Sequence, residues 1–308
     1  MALGEGLQKK IETLVSGRVL FDEPMCNHTS MGVGGRVDII LYPCSVKEVE
    51  KAVSLLVTED IPFLAVGNCT NLIVGDGGYR GCLISLMELQ RLEIKEEPDG
   101  RVSLWAESGV PLSRIVEATI KESLGGMEFC AGIPGSVGGG VWMNAGAYGR
   151  EIKDVIGSVA VVNGNGKRKK IEREGLHFEY RGLDLPDSTV ITGATFDLLK
   201  GEGREIQRKV TNILKARTKK HPLGQRSAGS VFKNPPSSPA GRIIDEVGLK
   251  GTTCGGAMIS EKHGNFIVNR GGATTADILA LIDITKRRVF ETRGIKLEME
   301  VKIIGEEL

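Results

Sequence analysis

Residues 131–149 read Ala-Gly-Ile-Pro-Gly-Ser-Val-Gly-Gly-Gly-Val-Trp-Met-Asn-Ala-Gly-Ala-Tyr-Gly, with seven glycines among nineteen residues and no charged side chain. Glycine brings no side chain to a core. It serves where a backbone takes positive φ or passes close to a neighbour. The apolar Ile133, Val137, Val141, Trp142 and Met143 set the run apart from a flexible linker. Backbone N–H groups without side-chain cover cradle anions, so the run suits a loop wrapped round a flat, phosphate-bearing ligand. A tight turn against another backbone is the alternative. A second Gly/Asn/Thr turn, Val66-Gly-Asn-Cys-Thr-Asn-Leu-Ile-Val-Gly75, lies between apolar stretches, and Asn27–Gly35 repeats the composition. None of the three shows strand, G-x-G-x-x-G, then helix, which disfavours a Rossmann domain.

Three single residues could act on a ligand. Ser230, in Gly229-Ser-Val-Phe-Lys-Asn-Pro235, has small neighbours and little cover. A nucleophilic serine needs a histidine base held by a carboxylate. None of the four histidines stands in such a context, and the G-x-S-x-G elbow is absent. Ser230 is then either a proton donor or a loop serine capping a turn. Arg181, after Tyr180, has the fork that meets a carboxylate bidentately, though lone arginines more often face solvent. Glu300 lies on the polar face of a C-terminal strand, where solvent is again the plain expectation.

The elements that must position these residues follow from periodicity and punctuation. A short helix is expected over 5–15 and a strand over Val37–Leu41. Ser45-Val-Lys-Glu48 reads as a capping box before a helix with Val46, Val49, Val53, Leu56 and Val57 on one face. Strands are expected at 63–66, 72–74, 82–86, 91–95, 102–106, 155–162 and 189–199, with helices at 111–123 and 203–219. Asn163-Gly-Asn-Gly166 signals a hairpin. Further helices are read at 238–247 and 274–292, the latter with Ile278, Leu281, Ile282 and Val289 inward. The last strand, 297–304, points Leu297, Met299, Val301 and Ile303 one way.

A chain of 308 residues accommodates two domains, or one with a cap. Hydrophobic content of 41% and a net charge of +1 are ordinary for a globular protein and point to neither nucleic acid nor an anionic membrane as partner. Basic clusters at Lys215–Lys220 and Lys286–Arg288 read first as solvated helix faces. The N-terminal ten residues show no apolar leader, and no run approaches a membrane span. Six scattered cysteines form neither a zinc pattern nor a disulfide framework, so a reducing, cytoplasmic setting and no metal are expected.

The glycine segments, in this order, resemble the UDP-N-acetylenolpyruvoylglucosamine reductase family of flavoenzymes. The stretches that carry the resemblance are Asn27–Gly35, Gly67–Val74, Gly132–Gly149, Tyr180-Arg181, Gly229–Pro235 and Leu297–Val301. The resemblance implies an α+β fold class: a two-subdomain FAD-binding unit of PCMH type, built from small mixed α/β sheets, plus a C-terminal α+β substrate-binding domain. The divisions expected are 1–90 and 91–213 for the FAD-binding subdomains and 214–308 for the substrate domain. FAD would be non-covalent, since only His28 could tether it and that residue precedes the expected first strand. FAD would meet Gly67, Asn68, Cys69, Thr70, Asn71, Gly132, Ile133, Pro134, Gly135, Ser136, Val137, Gly138, Asn144, Ala145, Gly146 and Ala147.

The family passes hydride from NADPH by way of FAD to the vinyl group of a UDP-sugar enolpyruvyl ether. The step pushes negative charge into the pyruvyl carboxylate, and asks for a cation there and an acid over the adjacent carbon. By match to the family's motifs, Arg181 is the cation, Ser230 the proton donor, and Glu300 a partner for the developing charge or the proton relay. Tyr180, Lys220, Lys233, Asn234 and His263 (or, in its place, Asn265) would contact the substrate. Leu183 departs from the family's Tyr-Arg-x-Ser pattern, and the chain looks like the shorter branch. A monomer is expected. The rival readings are an oxygen-using flavoenzyme of the same broad fold and a non-catalytic ligand-binding regulator; the joint presence of Arg181, Ser230 and Glu300 argues against the second.

Overall fold

The computed structural model describes residues 4–98 and 100–307. The chain forms two compact units, each assembled from separated stretches. One comprises residues up to Phe21, Asp38–Asn68 and Gly81–Lys215. The other comprises Asp22–Val37, Cys69–Arg80 and the chain from Ala216 onward. The sequence expectation was of continuous divisions ending at 90 and 213, whereas the compact units interleave.

In the first unit, the helix Val46–Thr58 buries Val49, Ala52, Val53 and Leu56. These side chains cluster with Ile39, Leu41, Cys82 and Ile84 from neighbouring strands. The strand Phe63–Val66 pairs in parallel with Cys82–Ser85, within a four-stranded sheet. Val57 is 49% exposed, off the inward face expected for it. The capping box forms by half: Ser45 Oγ accepts from the Glu48 amide, but Glu48 Oε2 reaches past Ser45 to the Cys44 amide at 2.7 Å.

A larger antiparallel sheet runs in the order Arg168–Glu172, Ile156–Val162, Val190–Lys200, Val102–Glu107, Leu92–Glu96. Its central strand, Val190–Lys200, pairs along Ile156–Val162 on one side and Val102–Glu107 on the other. Helix Leu112–Lys121 packs Leu112, Ile115 and Val116 into the core that this sheet shares with Phe129, Val137, Val141 and Phe196. Asn163–Gly166 does turn a hairpin, with the Gly166 amide on Asn163 O and Gly166 at φ +70°. The basic edge strand Arg168–Glu172 has no apolar alternation to announce it; charged side chains on an edge discourage further pairing.

The second unit holds a four-stranded antiparallel sheet in the order Arg226–Ser227, Ile267–Asn269, Ala257–Ile259, Thr253–Cys254. The helix Thr275–Arg293 buries Ile278, Leu281, Ile282, Thr285 and Val289. It starts at the Thr274/Asp277 capping box and ends at left-handed Gly294. Its first two amides, Thr275 and Ala276, also donate to the two oxygens of Asp76 at 2.9 and 2.8 Å. The expected last strand shortens to Lys302–Ile304, parallel to Leu72–Val74. Upstream of it, Met299 bridges Phe232 and is 37% exposed, so it departs from the inward face expected for it, on which Leu297 and Val301 are buried.

Candidate active site

In the first unit the glycine-rich run is not a loop throughout. Val137–Trp142 is a short helix, although three consecutive glycines oppose one on propensity. Close packing explains them. A Cβ on Gly138 would lie 2.8 Å from Ser108 Cβ, and one on Gly140 would press on Leu112 and Ile152. Upstream, Gly132 and Gly135 take φ of +71° and +148°, which L side chains rarely adopt. The run is pinned to the segment before helix Leu112–Lys121: the Leu112 amide donates to Gly135 O, Val137 N to Val110 O, and Gly138 N to Ser108 O.

Ser136 stands at the N-cap of the short helix, yet its side chain accepts no capping bond. It is 2% exposed, and its hydroxyl oxygen has no hydrogen-bond partner. Buried hydroxyls are normally paired. Gly67, at the end of strand Phe63–Val66, comes so close that a Cβ there would lie 2.5 Å from Ser136 Oγ. Two glycine-bearing segments far apart in sequence thus converge around an unsatisfied polar group. An unsatisfied hydroxyl and backbone without side-chain cover are what the FAD expected at Gly67 and at Gly132–Ala147 would need.

Asn144 is fully buried at φ +41°, and its side chain is spent on protein. Nδ2 donates to Glu151 Oε2 at 3.0 Å and Glu179 O at 2.9 Å, while Oδ1 accepts from the Lys153 amide. Tyr180 and Arg181 are the two turn residues between the paired Glu179 and Gly182. Tyr180 is 43% exposed. Arg181 sits at φ +63°; its Nη2 donates to Gly146 O at 3.1 Å and Nη1 faces Glu151 Oε1 at 3.5 Å. Glu151 was missed by the sequence reading. Its only local signal is the Glu151–Asp154 capping box just after the glycine run.

In the second unit the segment that carries Ser230 pairs with the segment that carries Glu300. Val231, next to Ser230, accepts the Glu300 amide at 2.8 Å, and Phe232 bridges Met299. Glu300 is half-buried rather than on an open face. Asn265 anchors the same segment: Oδ1 accepts from the Phe232 amide at 2.9 Å, and Nδ2 donates to Phe232 O at 2.7 Å. Asn71 Nδ2 donates to Glu300 O at 3.1 Å, and Asn71 O accepts from Lys302 N. Gly229 takes φ +78° with open space at its Cβ position, leaving Ser230 approachable. Cys69 is at φ +49°, and burial pushes its thiol up to about 11, so it stays protonated.

The other substrate candidates share this unit. Lys233 Nζ pairs with Glu298 at 3.6 Å. Asn234 Oδ1 accepts from the Ala240 amide at the start of helix Ala240–Glu246. Lys220 is exposed at the end of helix Gly203–Lys220. His263 packs edge-on against Phe266 at 4.9 Å and His221 at 5.3 Å, and its Nδ1 accepts from the Asn265 amide. Burial lowers the pKa of both imidazoles, that of His221 to about 4. Among the described residues, no group of three or more His, Cys, Asp or Glu could hold a metal ion, and no helix is long and apolar enough to cross a membrane.

The chain is similar to known proteins over nearly its whole length. Residues 37–172 match the FAD binding domain, and residues 221–304 match the C-terminal domain of UDP-N-acetylenolpyruvoylglucosamine reductase. The reductase of that name from Syntrophus aciditrophicus is 52% identical over 301 residues, covering 98% of this chain and 96% of the relative. One from Clostridium botulinum strain Hall is 42% identical over 293 residues, covering 95% and 94%. The crystal structure of the Thermus caldophilus enzyme superposes with a TM-score of 0.78 at 34% identity, covering 93% of this chain and 98% of that one. The convergent glycine segments with their orphaned serine, the pairing of Glu300 with Val231 beside Ser230, and these relationships place the chain in the UDP-N-acetylenolpyruvoylglucosamine reductase family of FAD-dependent oxidoreductases.

Proposed function

We propose that the protein reduces the vinyl group of UDP-N-acetylglucosamine enolpyruvate to UDP-N-acetylmuramate, with NADPH as electron donor, in peptidoglycan precursor synthesis. The observation that carries the reading is the backbone pairing that sets Glu300 opposite the residue after Ser230, in a chain that keeps Arg181 in a constrained turn. Bound FAD supplies the two-electron relay between the nicotinamide and the vinyl group.

The chain's own residues handle charge and proton. Arg181 offers a delocalised cation to the pyruvyl carboxylate, into which the reaction drives negative charge. The Ser230 hydroxyl gives its proton to the carbon beside that carboxylate, and such acid catalysis is worth about 10²–10⁴-fold. Glu300 relays the replacement proton. Lys220 and Lys233 suit the diphosphate, with Asn234 and His263 as further contacts to the sugar nucleotide; Tyr180, beside Arg181, is exposed and is a substrate candidate in its own unit.

The test starts with the absorption spectrum of the purified protein. A flavin spectrum, release of free FAD on denaturation, bleaching by NADPH without oxygen, and recovery on adding the enolpyruvyl UDP-sugar are the expected results. A protein that neither carries nor takes up FAD, or whose reduced form recovers only with oxygen, would sink this reading. Within it, Lys220→Ala should raise KM for the UDP-sugar much more than for NADPH.

A further inference from the structure

Arg181 occupies a costly position. A two-residue hairpin turn with positive φ favours glycine or asparagine, and a bulky residue held there is strained. The strain persists because the side chain is held at several points. Nη2 binds Gly146 O at 3.1 Å, the guanidinium lies 4.8 Å from the Tyr180 ring centre, and Nη1 faces Glu151 at 3.5 Å. The Arg181 and Glu151 side chains are only 15% and 18% exposed.

Glu151 is the hub of this arrangement. Its Oε1 faces Arg181, while Oε2 accepts from Asn144 Nδ2 at 3.0 Å and pairs with Lys153 Nζ at 2.8 Å. Its backbone amide is held by Asp154 Oδ2 at 2.9 Å. Asn144 is itself immobilised by three hydrogen bonds. The carboxylate therefore has one orientation, set by partners other than Arg181. Arg181, Lys153 and Arg150 face the two carboxylates Glu151 and Asp154, so the cluster stays net positive and still welcomes a carboxylate.

We propose that Glu151 is the positioning residue for Arg181. It fixes the plane of the guanidinium before substrate arrives, so the forked contact forms without the entropy cost of ordering a long side chain. This rests on the role proposed above for Arg181.

The experiment compares Glu151→Gln, Glu151→Asp, Arg181→Lys and the double variant Glu151→Gln/Arg181→Lys, each as the flavin-loaded enzyme. Stopped flow would follow reduction by NADPH and reoxidation by UDP-N-acetylglucosamine enolpyruvate separately. Glu151→Gln should keep its flavin and leave reduction within about twofold, while reoxidation falls by about 10- to 10²-fold, the scale of a small misplacement. Glu151→Asp, shorter but charged, should fall between it and the parent. Because Glu151 acts through Arg181, the double variant should be no slower than Arg181→Lys alone. Parent-like reoxidation in Glu151→Gln, or additive losses in the double variant, would overturn the proposal. So would loss of flavin from both Glu151 variants, which would make Glu151 a prop for the glycine-rich segment. If Arg181→Lys reoxidises normally, it is the reading of Arg181 that fails, and the two failures are told apart.

Discussion

Gly67 stands against Ser136 so closely that a Cβ on it would lie 2.5 Å from the serine hydroxyl, and that hydroxyl is buried without a hydrogen-bond partner. An unpaired buried hydroxyl costs the protein about 1–3 kcal/mol, which a ligand atom can recover. Ser136→Ala should therefore leave the FAD-free protein as stable as the parent or more so. FAD should bind about 10- to 10²-fold more weakly, the worth of one hydrogen bond to a charged group. Thermal melts of the stripped protein and FAD titration check the two halves. A variant that loses stability without FAD, and none of its FAD affinity, would show Ser136 to be a packing residue.

Asp76 holds the start of helix Thr275–Arg293 with one oxygen on each of two amides. A carboxylate at a helix N-terminus gains from hydrogen bonding and from the dipole together. Asp76→Ala should cost about 1–2 kcal/mol, and Asp76→Asn less, since it keeps an acceptor. Urea unfolding midpoints measure both. Equal midpoints for parent and Asp76→Ala would mean that the Thr274/Asp277 capping box suffices alone.

That cap also shows what the sequence leaves hidden. Thr274 and Asp277 are three residues apart and were legible; Asp76 lies about two hundred residues from the amides it caps, and nothing local announces it. The helices and the inner strands were legible because each is written in its own periodicity. The interleaving of the two units was not, because the contacts that bring 22–37 and 69–80 to the C-terminal stretch are all distant in sequence. The glycine run was legible as a close-approach segment. That Val137–Trp142 is helical was not, since propensity opposes it and only packing against Ser108, Leu112 and Ile152 permits it. Ser230 and Arg181 entered through motif resemblance; Glu151, whose meaning lies in what it touches, did not.

His221 carries a pH dependence whose sign follows from its surroundings. Burial is the main cause that pushes its pKa from 6.5 down to about 4, and Arg217, His263, Lys220 and Lys262 add to it. Between these two values the unfolded chain binds more protons than the folded one, so stability falls as pH drops through that window. Below about 4 the loss is complete. His221→Leu removes this contribution and keeps an apolar body against His263 and Phe266, so its stability should depend less steeply on pH between about 7 and 4. A residual slope from His263, whose pKa burial also lowers, should remain. Melting temperatures of parent and variant across the window decide the matter; parallel curves would show that His221 is not held neutral in the folded state.

Ser230 separates the two half-reactions. Reduction by NADPH needs hydride geometry but no proton from Ser230, whereas reduction of the enolpyruvyl substrate needs a proton delivered to carbon. Ser230→Ala should therefore bind FAD and be reduced by NADPH nearly as the parent is. Its reoxidation by UDP-N-acetylglucosamine enolpyruvate should slow by about 10²–10⁴-fold, the range for loss of a general acid. Glu300→Gln should show the same split, because the Glu300 amide is pinned to Val231 O whichever side chain it carries, so the backbone at Ser230 should not move. Stopped-flow traces of each half-reaction give the answer. Equal slowing of both halves in Ser230→Ala would make the serine structural, and the proton would then have to come from another group.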